Sequence, residues 1–413
     1  MAPQKIIIDT DPGVDDVLAI LMALASPEVD VSLISIVFGN THAPGAHSNL
    51  LKIYHLLAQE VAAVPAAAAR YHRLEGQTKT RLALGDDSPI GGEKAVAAYF
   101  HGLDGLSNIS ETHPEFTPPP LDPGAVHAHL DILKTPAHEV ILETLKSEPE
   151  GTVTIVALGP LTNIAHAYQA DPVTLARVHS VVWMGGALDH PGNTSPVAEF
   201  NCFADPYAAT IIMEACKAGE IKLVIAPLDI TTPHTIPFSD LIDPSIGIPP
   251  SDSSGQSSKL SPPGPLKTFI SHMLSRVRGL HVSFGLPDAM EMHDPLAVWY
   301  ALSNASRAPL DTAEGWHLRP RDFKVERKGE FTRGMCVVDR RGTTEDQGEN
   351  RAFDLAKEHN ANKTEASAVD NGERDRDGSK IVKAGHLPMV IVKTPGKEVL
   401  RSLLLDRVFG QTV

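Results

Sequence analysis

Four aspartates lie within eight residues near the start of the chain, at Asp9, Asp11, Asp15 and Asp16. The apolar run before them and the helical pattern after them place the cluster where a buried strand ends and a helix begins. Four like charges repel each other there, and one helix N-terminus supplies only about half a unit of positive charge. A hard divalent cation, Ca²⁺ or Mg²⁺, prefers oxygen ligands and would complete such a cluster.

Two other interpretations of this segment are weaker. Helix capping explains one or two acidic residues, but it does not explain Asp9 directly after three isoleucines at a buried strand end. The Asp-x-Asp pattern also resembles phosphatases of the haloacid dehalogenase class. Those proteins usually have Thr or Val where this chain has Gly13, and Asp15 and Asp16 are surplus to their pattern.

Polar side chains follow several other predicted strands. Asn40 ends the second one, and Asn193, Glu199 and Asn201 follow a later one that ends in two glycines. Amide and acid side chains in such a group suit the recognition of several hydroxyls, as in a sugar. A turn at Asn40 and a polar surface loop at 193–201 are the structural alternatives.

A His-Asp-Pro sequence at His293, Asp294 and Pro295 begins another predicted helix. Asp294 is suited to cap that helix, with Pro295 at its first position. His293 titrates near neutral pH and is therefore also a candidate to protonate a leaving group. His101 is a weaker candidate of the same kind.

The elements that would position these residues alternate between apolar strands and helices. That pattern is typical of an α/β fold, with an open, mostly parallel sheet and helices on both faces. Ligands bind such sheets beyond the carboxyl ends of the strands, where the polar groups lie. The predicted strands cover residues 5–10, 31–38, 152–158, 178–184 and 222–226, and the predicted helices 14–25, 49–59, 266–284 and 397–408.

Two segments depart from this pattern. Residues 249–265 are rich in Pro, Ser and Gly, and residues 342–380 are highly charged with few large apolar side chains. Such compositions predict flexible insertions. Since the strand–helix pattern is incomplete before them, we interpret 1–413 as one domain with two insertions.

Composition excludes several classes of protein. The chain has 51 acidic and 36 basic side chains and a formal charge of −15, which argues against nucleic acid as a main partner. No apolar run reaches the roughly 18 residues of a membrane span. Three cysteines and the absence of a signal-peptide pattern predict a cytoplasmic protein without a disulfide framework.

Together, these segments resemble the inosine–uridine nucleoside hydrolase family. The resemblance covers most of the chain apart from the two insertions, and the first motif is highly specific. The matching segments are 9–19, 38–40, 101–102, 161–165, 182–186, 193–201 and 293–295.

The resemblance implies an enzyme that hydrolyses the N-glycosidic bond of ribonucleosides with Ca²⁺ at the site. It implies that Asp11 is the general base for water attack with inversion, and that His293, assisted by His101, protonates the departing base. The implied calcium ligands are Asp11, Asp16, Asp294 and the carbonyl of Leu158. The implied contacts to ribose hydroxyls are Asp15, Asn40, Asn193, Glu199 and Asn201.

Histidines at both base-side positions resemble the less selective or pyrimidine-preferring branch of the family, acting on uridine, inosine or cytidine. A substrate that is another N-riboside, such as nicotinamide riboside, stays open at this stage, as does a non-catalytic nucleoside sensor. The resemblance also implies that the protein is a homodimer or homotetramer. It implies that the molecule it binds is a small-molecule nucleoside.

Overall fold

A computed structural model of the chain describes residues 3–76, 78–120, 122, 125–246, 263–305, 307–340 and 386–412. Within them, nine strands form one sheet in the order β10-β13-β7-β6-β5-β1-β2-β3-β4, and two antiparallel pairs, β8 with β9 and β11 with β12, lie apart from it. The strands are β1 (Gln4–Thr10), β2 (Val29–Ile36), β3 (Thr80–Leu84), β4 (Leu130–Leu133), β5 (Val153–Ala157), β6 (Ser180–Met184), β7 (Leu223–Ala226), β8 (Thr235–Pro237), β9 (Ala289–Glu291), β10 (His317–Pro320), β11 (Phe323–Val325), β12 (Cys336–Val338) and β13 (Met389–Lys393).

Helices connect the strands. They are α1 (Val14–Leu24), α2 (Ala43–Ala63), α3 (Pro65–Arg70), α4 (Ala98–His101), α5 (Ile109–Thr112), α6 (Ala137–Ser147), α7 (Thr162–Ala170), α8 (Pro172–Leu175), α9 (Phe200–Ala204), α10 (Pro206–Lys217), α11 (Leu228–Thr231), α12 (Phe238–Leu241), α13 (Pro265–Phe284), α14 (His293–Asn304) and α15 (Lys397–Leu404). The last helix continues as a π-helical turn at Leu405–Phe409, and short 3₁₀ turns lie at His72–Glu75 and Pro114–Phe116.

The apolar run of β1 explains why the sheet is covered on both faces. Successive side chains of a strand point to opposite sides. Ile6 and Ile8 accordingly join a core with helices α1, α2, α13 and α14, whereas Ile7 joins a second core with α6, α7 and α10. Every pairing in the sheet is parallel except that of β10 with β13. The predicted mostly parallel α/β fold is therefore confirmed.

The sheet reverses its direction of growth next to β1. From β1 the chain adds β2, β3 and β4 on one side, and it then returns to add β5, β6 and β7 on the other side. The carboxyl ends of β1 and β5 therefore form the topological switch point, where open α/β sheets bind ligands. The aspartate cluster follows β1, and Leu158 directly follows β5.

The predicted elements are present, with some corrected bounds. Helix α2 begins at Ala43, six residues before the prediction, because Pro44 is tolerated in the first turn of a helix. The predicted terminal helix ends as an α-helix at Leu404. Strands β3 and β4 near one edge of the sheet were not predicted, since neither has a long apolar run.

The predicted insertion at 342–380 lies outside the described residues, as do residues 249–262 of the other. Residues 263–265 lead directly into helix α13, so the helix begins inside the predicted insertion. The three cysteines are free and buried. In the part of the chain that the structure describes, no helix has both the length and the apolar character needed to cross a lipid bilayer.

Truncation of Ile7 tests the central position of β1. Ile7 is fully buried, and replacing a buried isoleucine by alanine typically costs about 2–5 kcal/mol. We expect Ile7→Ala to lower the free energy of unfolding in urea by that amount. Val173→Ala removes a side chain that is 79% exposed, and we expect a change within about 0.5 kcal/mol. Equal effects of both variants would contradict the two-faced packing of β1.

Candidate active site

Two helices begin at the aspartate cluster. Asp15 and Asp16 lie in the first turn of α1, and Asp294 lies in the first turn of α14. The two helices pack against each other. The positive end of a helix dipole stabilises nearby carboxylates. Two converging N-termini therefore offset part of the repulsion among these aspartates.

Asp15, Asp16 and Asp294 form a group suited to a metal ion. Each is buried and offers one carboxylate oxygen, and the three oxygens lie within 4.8 Å of one another. Burial, followed by the charges of Asp15, Asp16 and Asp11, raises the pKa of Asp294. Burial and the charge of Asp16 raise the pKa of Asp15 to about 6. A cation would relieve this repulsion, and the group contains only oxygen donors, which Ca²⁺ prefers.

Asp11 lies beside this group with one oxygen free. Its Oδ2 accepts a hydrogen bond from the backbone N–H of Asn40 at 2.7 Å. Its Oδ1 is buried and has no hydrogen-bond partner among the residues that the structure describes. Burial and the charge of Asp16 raise the pKa of Asp11. A buried carboxylate oxygen without a partner normally indicates a missing ligand, ion or water molecule.

Asn40 joins Asp11 to Asp16. Besides its backbone bond to Asp11, its side-chain Nδ2 donates to Oδ2 of Asp16 at 2.8 Å. The same Asp16 oxygen accepts the N–H of Gly13 at 2.9 Å, and Thr10 donates to the other oxygen. A Cβ at Gly13 would lie 2.5 Å from Asn40 Nδ2 and from His101 Nδ1. Only glycine fits at this position, because the side chains of Asn40 and His101 leave no space for a Cβ.

Asp9 belongs to a separate buried hydrogen-bond network, here called the Asp9 node, with Ser35 and Asn163. Its Oδ1 accepts from Ser35 Oγ at 2.5 Å and from Asn163 Nδ2 at 2.9 Å. Asn163 also donates to the carbonyl of Ile36 and accepts the N–H of Asp86. Burial raises the pKa of Asp9 to about 7. Asn163 thus ties the ends of β1, β2 and β3 together.

The segment 193–201 folds around its own polar residues. Glu199 caps helix α9: its carboxylate accepts the N–H groups of Asn201 at 2.7 Å, Gly186 at 2.8 Å and Cys202 at 3.0 Å. Asn193 is exposed, and its Oδ1 accepts the N–H of Phe200 at 2.9 Å. These residues therefore shape the loop after β6, which was the structural alternative to sugar binding.

The side chain of Asn201 reaches the end of β5. Its Nδ2 donates to the carbonyl of Leu158 at 2.8 Å and to that of Met184 at 3.0 Å. The carbonyl predicted to bind calcium thus has one amide partner, and a carbonyl oxygen has a second lone pair available for a metal. Asn201 therefore connects the predicted sugar-binding loop to the predicted metal site.

His101 lies across the β1–α1 turn with a defined tautomer. Its Nδ1 accepts the backbone N–H of Val14 at 3.2 Å, so the proton of the neutral ring is on Nε2. Burial lowers the pKa of His101 to about 3, and the charges of His293 and Arg276 act in the same direction. His101 is therefore a neutral hydrogen-bond donor through Nε2.

Hydrogen bonds hold both ring nitrogens of His293. Nδ1 lies 2.8 Å from Thr231 Oγ1, and Nε2 lies 2.9 Å from Glu291 Oε2. A carboxylate only accepts hydrogen bonds, so Nε2 donates to Glu291. Burial lowers the pKa of His293, but Glu291, Asp15 and Glu199 outweigh it and the net shift is upward. The sequence analysis missed Glu291, although its spacing of two residues from His293 was a usable signal.

The structure thus gathers buried carboxylates, amide side chains and two histidines at the switch point. The carboxylates can hold a cation and accept a proton, and the histidines can face a leaving group. The four aspartates of the site influence one another electrostatically, and Asn40 bonds both Asp11 and Asp16. His101 lies across the Gly13 turn from Asn40. Asn193 stays at the exposed edge of its loop.

Known proteins share this arrangement of sequence and fold. A family model described as "Inosine-uridine preferring nucleoside hydrolase" matches residues 6–372. "Probable uridine nucleosidase 2" of Arabidopsis thaliana is 40% identical over 225 residues, which are 54% of this chain and 59% of that protein. "Pyrimidine-specific ribonucleoside hydrolase RihA" of Salmonella arizonae is 30% identical over 338 residues, 81% of this chain and 88% of that protein.

A solved structure shows the same fold. "Plant nucleoside hydrolase - PpNRh1 enzyme" aligns with a TM-score of 0.66 and 26% identity, covering 99% of this chain and 100% of that one. The alignment with the Arabidopsis protein spans less than two thirds of that relative's length.

Substitution of Asn163 tests the node around Asp9. Asn163→Ala leaves the buried Asp9 with one fewer donor, and we expect the free energy of unfolding to fall by about 1–3 kcal/mol. Asn163→Asp places a second carboxylate 2.9 Å from Asp9 Oδ1 and should cost more. Gln59→Ala, at an exposed position of α2, is the control for urea denaturation. A smaller loss in Asn163→Asp than in Asn163→Ala would refute this description of the node.

Proposed function

Because this chain belongs to the inosine–uridine preferring nucleoside hydrolase family, we propose that it hydrolyses the N-glycosidic bond of ribonucleosides to free base and ribose. The observation that carries the proposal is the meeting of Asp11, Asp15, Asp16 and Asp294, all buried, at the switch point of the sheet. Carboxylates beside a ribose ring favour the oxocarbenium-like transition state of glycosidic cleavage.

We propose Ca²⁺ as the metal. The residues fit it, because Asp16 and Asp294 belong to the three-carboxylate group and the buried Oδ1 of Asp11 lacks a partner. The proposed ligands are Asp11, Asp16, Asp294 and the carbonyl of Leu158. Asp15, which the sequence analysis assigned to ribose, is the third member of that group. Bound there, calcium would lower the pKa of a water molecule and bind a pair of vicinal hydroxyls.

Asp11 is the proposed general base. A lone pair of its Oδ1 that the metal does not use can accept one proton of the attacking water, while the N–H of Asn40 fixes Oδ2. The water oxygen forms a bond to the anomeric carbon as the bond to the base nitrogen breaks. Direct attack by water from the opposite face gives inversion.

Asp15, Asn40, Asn193, Glu199 and Asn201 are the proposed contacts to ribose hydroxyls. A carboxylate has about four lone-pair sites. In Glu199, three of them accept hydrogen bonds from backbone N–H groups. One acceptor site of Glu199 therefore remains for a hydroxyl. These contacts require a ribose diol, so 2′-deoxynucleosides should react poorly.

His293 and His101 are proposed to act at the departing base. Thr231 and Glu291 contact the two ring nitrogens of His293 in the structure, so proton donation by His293 requires that one of these contacts is exchanged for one with the base. His101 donates a hydrogen bond through Nε2, since Val14 fixes its other nitrogen. The names of the uridine- and pyrimidine-specific relatives support uridine and cytidine as first choices, followed by inosine.

We further propose a cytoplasmic protein that acts in nucleoside salvage as a homodimer or homotetramer, without nucleic acid as a partner. Its acidic balance supports the absence of nucleic acid as a partner, and its free, buried cysteines suit a reducing compartment. Light scattering of the purified protein measures the oligomeric state directly.

A substrate panel tests the reaction. We expect the purified protein to release free base and ribose from uridine, cytidine and inosine, and to release little from 2′-deoxyuridine. Asp11→Ala should show no turnover, because it removes both the base and a metal ligand. Asp171→Ala is the matched control, since the side chain of Asp171 caps helix α8 and, among the described residues, contacts only Thr174 and Lys146.

The panel includes nicotinamide riboside as a second N-riboside. Release from that compound alone would keep the hydrolase and change its substrate. Binding of uridine without release from any compound would indicate a nucleoside sensor. Near-normal kcat in Asp11→Ala would disprove the role of Asp11.

Metal binding can be measured without turnover. A ligand at 100 times its Kd stabilises a protein by about 2.7 kcal/mol, so we expect saturating Ca²⁺ to raise the Tm and a chelator to lower it. Asp16→Asn and Asp294→Asn should each lose most of this shift, whereas Asp171→Ala should keep it. An equal Ca²⁺ shift in all three variants would place the metal elsewhere.

A further inference from the structure

We propose that Arg276 of helix α13 is a positioning residue for His101. The inference rests on the proposed function, in which His101 donates a hydrogen bond to the departing base. It adds a residue that no sequence motif marked, on a helix far from His101 in the chain.

The contacts of Arg276 lie at the end of the segment that carries His101. Its Nη1 donates to the carbonyl of Phe100 at 2.5 Å, and its Nη2 lies 3.5 Å from the carbonyl of Tyr99. Both carbonyls belong to the four-residue helix α4, which ends at His101. The last carbonyls of a helix lack partners within it and are stabilised by a cation.

The short helix needs such support. His101 has one backbone bond inside it, from its N–H to Ala97, and its carbonyl accepts the N–H of Ser107 at 2.6 Å. Outside the segment, the ring accepts the N–H of Val14. The ring of Phe100 stacks edge-on against that of His101 at 5.0 Å. Movement of the Phe100 carbonyl would therefore move His101 away from Val14.

Helix α13 offers a firm base for this contact. It has 20 residues, and Phe269, Ile270, Met273, Leu274 and Val277 are buried in the core beneath it. The guanidinium thus connects a long, well-packed helix to a short one. The charge of Arg276 also favours the neutral form of His101, the form that donates through Nε2.

The same helix provides a matched control. Arg278 lies two residues further along and forms two hydrogen bonds with Asp288, at 2.6 and 2.5 Å. Both arginines form hydrogen bonds through their guanidinium groups, but no hydrogen bond or ion pair joins Arg278 to the His101 segment among the described residues. Both side chains are half-buried, so removal of Arg278 reproduces the loss of a charge and of a half-buried side chain without the proposed effect.

Kinetics of uridine hydrolysis test the proposal. We expect Arg276→Met to reduce kcat about tenfold or more, Arg276→Lys to restore part of it by its single donor group, and Arg278→Met to leave it within twofold. In a His101→Ala background, Arg276→Met should have little further effect, because the residue through which it acts is gone. The same fold-loss in both backgrounds, or no loss in either, would overturn the proposal.

Hydrogen exchange followed by mass spectrometry gives a measurement independent of activity. We expect peptides covering residues 97–108 to exchange faster in Arg276→Met than in the wild type, and to be unchanged in Arg278→Met. Unchanged exchange in Arg276→Met overturns the positioning role even where kinetics are affected. Wild-type protein that releases no base refutes the proposed function instead, and the exchange result still decides whether Arg276 holds the segment.

Discussion

The confinement of buried negative charge is the constraint on which the rest of the structure depends. Four aspartates are nearly inaccessible to solvent, and burial is the largest cause of the raised pKa of each. Two helix N-termini, the amide of Asn40 and the N–H of Gly13 offset part of the cost. The sheet brings these groups together, because the ends of β1 and β5 and the starts of α1 and α14 meet at its switch point.

The roles of residues that lie near one another in the sequence could be predicted. Contacts between residues that are far apart in the sequence could not. The run of three isoleucines followed by Asp9 predicted both a strand buried on two faces and a functional cluster. Asn163 could not be assigned, because it is 154 residues from its partner Asp9. Arg276 escaped detection for the same reason, being 176 residues from Phe100.

The loop after β6 shows how one side chain serves two purposes. The carboxylate of Glu199 accepts three hydrogen bonds from backbone amides, and these bonds fix its orientation. Asn201 similarly joins two strand ends through one amide nitrogen. This segment can therefore be both a polar loop and the proposed ribose-binding segment. The hydrogen bonds that shape the loop also fix the orientation of the carboxylate of Glu199. Sequence alone presents these two roles as alternatives.

The acidic group is assembled from distant parts of the chain. Asp15 and Asp16 emerge early in synthesis, whereas Asp294 arrives only after most of the sheet has been made. The nascent chain therefore exposes a partial cluster that lacks its third carboxylate, and loop closure over this long separation costs entropy. A cation that binds three carboxylates better than two would favour the closed form. The same ion would then stabilise the assembled site late in folding, once helix α14 has been synthesised.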